Sequence, residues 1–62
     1  MKIKNIYGEV FEVKVGDYVG FKKDHENSGK IIGISNGKYE KMFKIDTEDG
    51  IELVSMNRVW PE

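Results

Sequence analysis

Apolar and polar residues alternate with a period of two along much of this chain, which is typical of strands that bury one face. Val19 and Phe21 are predicted to point inward. Tyr18, Gly20 and Lys22 alternate with them and are predicted to point outward. The sequence contains no Ala and one Leu, whereas Val, Ile, Tyr and Phe supply most apolar positions. The pattern therefore predicts an all-β fold.

Turn-forming residues divide this pattern into short strands. The predicted strands cover residues 2–6, 9–15, 18–22, 30–35, 38–47, 51–55 and 59–60, with a polar loop at 23–28. Asn36-Gly37 predicts a two-residue type I′ turn because both residues tolerate positive φ, and 48–50 predicts a second hairpin turn. Gly33 predicts a β-bulge. Gly20 predicts either a sharp bend or a close approach of another group to the backbone, and residues 56–58 predict a single 3₁₀ turn.

The 62 residues predict one domain, 1–62, in which residues 1–14 form an N-terminal hairpin. A chain of this length buries only about 60% of the surface that its unfolded form exposes, so it needs one compact core. Ten apolar residues are predicted to build that core: Phe11, Val13, Val19, Phe21, Ile31, Ile34, Phe43, Ile45, Leu53 and Val59.

The charge is nearly balanced overall but unevenly distributed. The chain has 10 Lys+Arg and 11 Asp+Glu, which gives a net charge of −1. Residues 1–44 carry 9 Lys and 6 acidic residues, or +3, and residues 45–62 carry one Arg and 5 acidic residues, or −4. Such asymmetry can mark a nucleic-acid surface, although a dedicated nucleic-acid-binding domain is usually net basic.

Candidate chemistry is sparse in this sequence. There is no cysteine, and Asp24-His25-Glu26 is the only cluster of metal-binding residue types, so no disulfide, metal site or cofactor is predicted. Neither a nucleophile motif nor a phosphate-binding Gly-rich loop is present, and we expect a protein that is not an enzyme and has no small-molecule substrate. No apolar run approaches the length of a membrane helix, and we expect a cytoplasmic protein without membrane contact.

The order of motifs carries a resemblance to a known group. Val15-Gly16-Asp17-x-Val19-x-Phe21, a polar loop, Gly29-Lys30-Ile31, a hairpin, Asp49-Gly50 and a one-turn helix before a terminal strand resemble SH3-like small barrels, which include the KOW and Tudor groups. The resemblance spans about residues 10–60. It implies an SH3-like barrel of five or more antiparallel strands with a short 3₁₀ turn before the last. The compact chain also looks like short bacterial and tailed-phage proteins, which implies a role in the host cytoplasm.

Two departures from these groups limit the function that the resemblance implies. The loop at 23–28 has no aromatic residue, whereas Tudor domains often draw part of their methyl-group cage from this loop. The chain is also not strongly basic, unlike ribosomal KOW proteins. A reader of methylated side chains and a stable ribosomal-RNA binder are therefore not expected.

Aromatic and basic residues outside the predicted core form the candidate binding site. The partner-binding residues are predicted to be Tyr18, Tyr39, Trp60, Lys22, Lys23 and Lys30. The leading hypothesis is a non-enzymatic interaction module that binds a protein partner. One alternative is nucleic-acid binding, in which Tyr18 stacks on bases and the lysines contact phosphates. The other is a small structural homo-oligomer that covers an exposed edge strand.

Overall fold

The computed structural model describes residues 1–62 and is built of antiparallel β-strands with one short 3₁₀ helix. The strands are β1 (Lys2–Lys4), β2 (Val10–Glu12), β3 (Tyr18–Lys22), β4 (Glu26–Asn36), β5 (Lys41–Thr47), β6 (Gly50–Ser55) and β7 (Val59–Pro61). The 3₁₀ helix, η1 (Met56–Arg58), directly precedes β7. The all-β prediction and the 3₁₀ turn before the last strand are confirmed.

The strands form two sheets. Five of them form one antiparallel sheet in the order β6-β5-β4-β3-β7, and β1 and β2 form a separate two-stranded sheet. Consecutive strands β3 to β6 are neighbours, and the last strand returns to lie beside β3. The sheet is not closed, since β6 and β7 are its two edges.

The long strand β4 holds this sheet together. Its first half pairs with β3 and its second half pairs with β5, and Lys30 is opposite both Tyr18 and Asp46. The register shifts between Ile31 and Gly33, which confirms the predicted bulge. Such a bulge bends the strand and increases its local twist, so one continuous strand can serve both halves of the sheet.

Seven apolar side chains are buried in one cluster beneath this sheet: Val13, Val19, Phe21, Ile31, Phe43, Ile45 and Val59. All seven belong to the predicted core. Phe11 is only partly buried and packs against the cluster. The predictions for Ile34 and Leu53 were wrong, because these side chains are 41% and 52% exposed. In β6 the residue that packs on the core is Val54, opposite the buried Phe43. A one-residue error in register moves every side chain of a strand to the other face.

The connection between β4 and β5 differs from its prediction. The connection consists of residues 37–40 and is therefore longer than the predicted two-residue turn, because β5 begins only at Lys41. No residue other than glycine has a positive φ, and Gly37 is not among the positive-φ glycines, so the type I′ turn at Asn36-Gly37 was wrong. The Gly37 N–H instead donates to the Glu40 carbonyl at 2.7 Å, which closes a wider turn. The predicted turn at 48–50 is confirmed, with Gly50 at φ 115°.

The N-terminal hairpin is present, but its strands are shorter than predicted. β1 ends at Lys4 because the buried side chain of Asn5 begins a turn. Its Oδ1 accepts hydrogen bonds from the backbone N–H groups of Tyr7 (3.0 Å) and Glu9 (2.9 Å). Its Nδ2 donates to the carbonyl of Val59 in β7 at 2.8 Å. This one side chain therefore shapes the hairpin turn and attaches the two-stranded sheet to the larger one.

Candidate binding surface

Trp60 lies on the outer side of the sheet, over a glycine of the neighbouring strand. It is paired with Gly20 of β3 in the register of the sheet. A Cβ atom on Gly20 would lie 2.6 Å from Cε2 and 2.8 Å from Cδ1 of the indole, closer than real Cβ contacts allow. The indole thus occupies the space of the missing side chain. The close approach predicted at Gly20 is confirmed, and Trp60 is held in place without entering the core.

Tyr7 lies against this indole and extends the aromatic surface. The ring centroids of Tyr7 and Trp60 are 5.6 Å apart, and the rings meet edge to face at 73°. Edge-to-face pairs of this kind stabilise by about 1 kcal/mol beyond the area that they bury. The hydrogen bond from the Tyr7 N–H to Asn5 sets the position of the tyrosine, and 53% of Tyr7 remains exposed.

Two open depressions adjoin Trp60. The first has a volume of about 280 Å³, and it is lined by Glu26, Asn27, Ser28, Glu48, Trp60 and Glu62. The second has a volume of about 300 Å³, and it is lined by Tyr7, Glu9, Lys22, Glu26 and Trp60. Trp60 and Glu26 belong to both. We call the surface formed by these two sets of residues the Trp60 face.

The Trp60 face is acidic. It carries four glutamates and one lysine, which sum to 1 − 4 = −3, whereas the whole chain has a net charge of −1. The three ion pairs of the structure involve other carboxylates: Glu12, Asp17 and Glu52. Glu26, Glu48 and Glu62 therefore have no basic group within 4 Å. Their charges are available to a ligand.

Tyr18 and Lys30 lie beside the Trp60 face. Tyr18 is 64% exposed and shares the outer side of β3 with Gly20 and Lys22. Lys30 is opposite Tyr18 on one side and Asp46 on the other. Lys22 is opposite Glu26 in β4. The fold therefore brings four of the six predicted residues together on the outer side of the sheet, and it places a carboxylate opposite each of these two lysines.

Lys23 forms an ion pair with a residue outside the Trp60 face. Its Nζ donates to Oε2 of Glu52 in β6 at 2.9 Å. This hydrogen bond, with the attraction of the same carboxylate, raises the pKa of Lys23 above its ordinary value. An ammonium group that is already paired is a poorer phosphate ligand, because the ion pair must first be broken.

Tyr39 lies apart from the other predicted residues. It belongs to the loop beyond the C-terminal end of β4, whereas Trp60 is near the N-terminal half of that strand. Tyr39 is 89% exposed, and its ring has the Lys38 ammonium 5.5 Å from its centroid. It is not part of the Trp60 face.

A third depression of about 320 Å³ continues from Tyr18 toward the N-terminal hairpin. It also has an acidic lining, which includes Glu12, Asp17 and Glu62.

Asp17, one of these lining residues, is held by the backbone of the hairpin. The backbone N–H of Lys14 donates to Oδ2 of Asp17 at 3.0 Å. This bond is the main reason that the pKa of Asp17 lies below its usual value. Asp17 therefore keeps its negative charge at any physiological pH.

Other kinds of site have less support from the geometry. No three His, Cys, Asp or Glu side chains, including those of Asp24, His25 and Glu26, are grouped so that they could hold a metal ion. No helix of the structure is both long enough and apolar enough to cross a membrane.

Sequence reasoning missed Asn5 and three glutamates that contribute to this surface. Asn5 was treated as part of a strand, although an Asn three residues before a glycine is compatible with a side-chain-stabilised turn. Glu26, Glu48 and Glu62 belong to different elements or connections, and no local pattern links them. Only the pairing of β3 with β4 and β7, together with that of β4 with β5, brings these carboxylates around one tryptophan.

No protein-family model, curated protein or solved structure matches this chain.

Proposed function

We propose that this chain is a non-enzymatic interaction module that binds a protein partner through the Trp60 face, on an SH3-like small barrel. The strand order supports the fold assignment. The larger sheet has five antiparallel strands with a one-turn 3₁₀ helix before the last of them, as the resemblance implies. The proposal includes a cytoplasmic role, which suits a chain without cysteine.

The observation that carries the proposal is the placement of Trp60 over Gly20 at the surface. Tryptophan and tyrosine supply large contact areas and have few rotatable bonds, and tryptophan is among the commonest hot-spot residues of interfaces. An indole that is fixed before binding loses little conformational entropy when a partner arrives. Tyr7 at its edge and polar residues around it provide the apolar centre and polar rim of a small interface.

Capture experiments test this proposal. The immobilised protein is exposed to a lysate of the source organism, and captured proteins are quantified by mass spectrometry. Tyr7→Ala and Trp60→Ala are expected to reduce capture of the specific partner at least tenfold. Gly20→Ala should reduce it similarly, since the new Cβ displaces the indole. Each variant is first checked for the dispersed amide NMR spectrum of a folded β protein.

Tyr39→Ala is the matched control for these substitutions. It also removes an exposed aromatic ring, but from the 37–40 loop away from the Trp60 face. We expect Tyr39→Ala to capture as much of the specific partner as the unaltered protein does. A partner that is retained by folded Tyr7→Ala, Gly20→Ala and Trp60→Ala proteins would contradict the proposal.

Self-association through β6 is the second candidate function. β6 is an edge strand of the five-stranded sheet, and Ile51 and Leu53 on it are 62% and 52% exposed. Pairing with β6 of another copy would cover this edge and both side chains. Light scattering of a concentrated solution should then give a mass of twice 7.2 kDa, and Leu53→Lys should restore the monomer. A monomeric mass at every concentration would contradict this candidate.

A further inference from the structure

We infer that the Trp60 face recognises a positively charged side chain, arginine or lysine, presented by an extended basic segment of its protein partner. This inference rests on the proposed function and specifies the chemistry of the ligand. The inference depends on the aromatic pair and the carboxylates together, because the glutamates surround Trp60 in both depressions.

The aromatic part of the site provides a surface for a cation. The face of an indole ring attracts cations more strongly than that of tyrosine or phenylalanine, within about 6 Å of the ring. Trp60 is partly exposed, and both depressions adjoin it. One side of the indole ring lies over Gly20, and the exposed remainder of the ring is where a cation can bind.

The carboxylates provide the charge complementarity. Glu26 adjoins both depressions, while Glu48 and Glu62 line the first and Glu9 lines the second. Glu9 accepts a hydrogen bond from Asn5 at 2.9 Å, which fixes its position but leaves its charge. No basic group of the protein lies within 4 Å of Glu26, Glu48 or Glu62, so a bound cation does not have to replace an existing ion pair. A guanidinium group can also bind a carboxylate through two parallel hydrogen bonds.

The same charges disfavour an anionic partner. A phosphate backbone brought to Trp60 would approach four glutamates, and Lys22 is the only basic residue among the lining residues. Lys22 itself is opposite Glu26 in the sheet. We therefore place a basic protein segment, and not a nucleic acid, on this surface. Nucleic-acid binding becomes a distinguishable outcome of the test.

The test uses a capped peptide of alternating glycine and arginine, the same peptide with glutamine in place of arginine, and a single-stranded oligonucleotide. Trp60 is the only tryptophan, so its fluorescence reports directly on the site. The arginine peptide should change this fluorescence and bind less tightly as salt is raised. The glutamine peptide and the oligonucleotide should not bind.

Charge variants give the sharpest result because their expected effects have opposite signs. Glu26→Gln, combined with Glu48→Gln, should weaken binding of the arginine peptide about tenfold or more, which corresponds to about 1.4 kcal/mol. Lys22→Gln should strengthen it several-fold. Lys41→Gln is the matched control, since it removes the same charge at the opposite end of the sheet, beside Asn36, and should change nothing.

Three results would overturn the inference. One is equal binding of the arginine and glutamine peptides, and another is no change in affinity for any charge variant. The third is oligonucleotide binding that is weakened by Lys22→Gln and strengthened by Glu26→Gln, which would assign the site to nucleic acid. If the arginine peptide fails to bind while capture still depends on Trp60, the inference is wrong and the interaction module stands. If capture is also independent of Trp60, both are wrong.

Discussion

Gly29→Ala is expected to lower the free energy of unfolding by about 3 kcal/mol, near the upper end of the usual cost of overpacking a core. Gly29 is buried in β4, opposite Val19. A Cβ atom there would lie 2.7 Å from Cγ2 of Ile45 and would overlap the backbone carbonyl oxygen of Asp46. The carbonyl belongs to a paired strand and cannot swing aside as a flexible side chain would. Denaturation in urea, followed by Trp60 fluorescence, measures the effect.

The size of this loss matters because the protein is small. At about 0.05–0.15 kcal/mol per residue, a chain of 62 residues has a total stability of about 3–9 kcal/mol. Gly29→Ala would therefore remove a third or more of it. The variant should show a much lower urea midpoint or an unfolded fraction without any denaturant.

Gly33→Ala is the matched control, with the same substitution in the same strand. A Cβ atom on Gly33 would meet only Cδ of Lys44 at 3.7 Å, an ordinary contact. Alanine also restricts the unfolded chain more than glycine does. We expect Gly33→Ala to be neutral or to stabilise by up to about 1 kcal/mol. Equal losses of stability in the two variants would contradict the explanation that the close approach of β5 causes the loss at Gly29.

Asn5→Asp is expected to destabilise the protein by about 3 kcal/mol at neutral pH, although it changes only an amide to a carboxylate. The Asn5 Nδ2 group donates to the Val59 carbonyl and to the Glu9 carboxylate. A carboxylate in its place puts oxygen against oxygen at both contacts, in a position where only 4% of the residue is exposed. The two hydrogen bonds that Oδ1 accepts from the hairpin backbone can persist.

The pH dependence of the Asn5→Asp variant separates this explanation from a general loss of packing. Burial and two neighbouring acceptors raise the pKa of the new carboxyl above its ordinary value of about 3.9. The folded variant then binds a proton more readily than the unfolded chain, so its deficit grows as pH rises through the folded-state pKa and shrinks in acid. Thermal unfolding of variant and parent between pH 4 and pH 8 should converge at the acid end. A constant difference would contradict the oxygen–oxygen explanation.

Asn36→Asp is the control for Asn5→Asp. Asn36 is exposed at the end of β4, its side chain makes no hydrogen bond, and Lys41 is its cross-strand neighbour. The same chemical change there should alter stability by no more than about 0.5 kcal/mol. The Nδ2 bond to Val59 joins the hairpin that carries Tyr7 to the strand that carries Trp60. Because Asn5→Asp removes this bond, it should weaken binding as well as stability, whereas Asn36→Asp should affect neither.

The inward positions of β3 and β5 could be predicted from the sequence because alternation in these strands is regular. Val19, Phe21, Phe43 and Ile45 are all buried as expected. β6 has the sequence Ile-Glu-Leu-Val, in which two adjacent apolar residues offer either face to the core. The register with β5 selects Val54, and this register is a property of the pair of strands and not of β6 alone.

The candidate site also has features that could be predicted from local sequence and features that could not. The exposure of Tyr18 could be predicted from the alternation within β3. The close approach of another group at Gly20 could be predicted from the presence of a glycine inside that strand. The partner of Gly20, the acidic character around it and the ion pair that occupies Lys23 depend on contacts between segments far apart in the chain. Lys22, Lys23 and Lys30, which the sequence suggests as a basic surface, consequently each lie beside a carboxylate in the fold.

The pairing of β3 with β7 also has a kinetic consequence. Phe21 pairs with Val59, so this contact closes a loop of 59 − 21 = 38 positions. The hairpins of β4, β5 and β6 join residues much nearer in sequence. Because closing a long loop costs more chain entropy than closing a short one, the meander can form early in folding, before β7 docks. Trp60 belongs to β7, so the Trp60 face is complete only after β7 has docked on β3. A nascent chain in which β7 has not yet been synthesised therefore lacks this face.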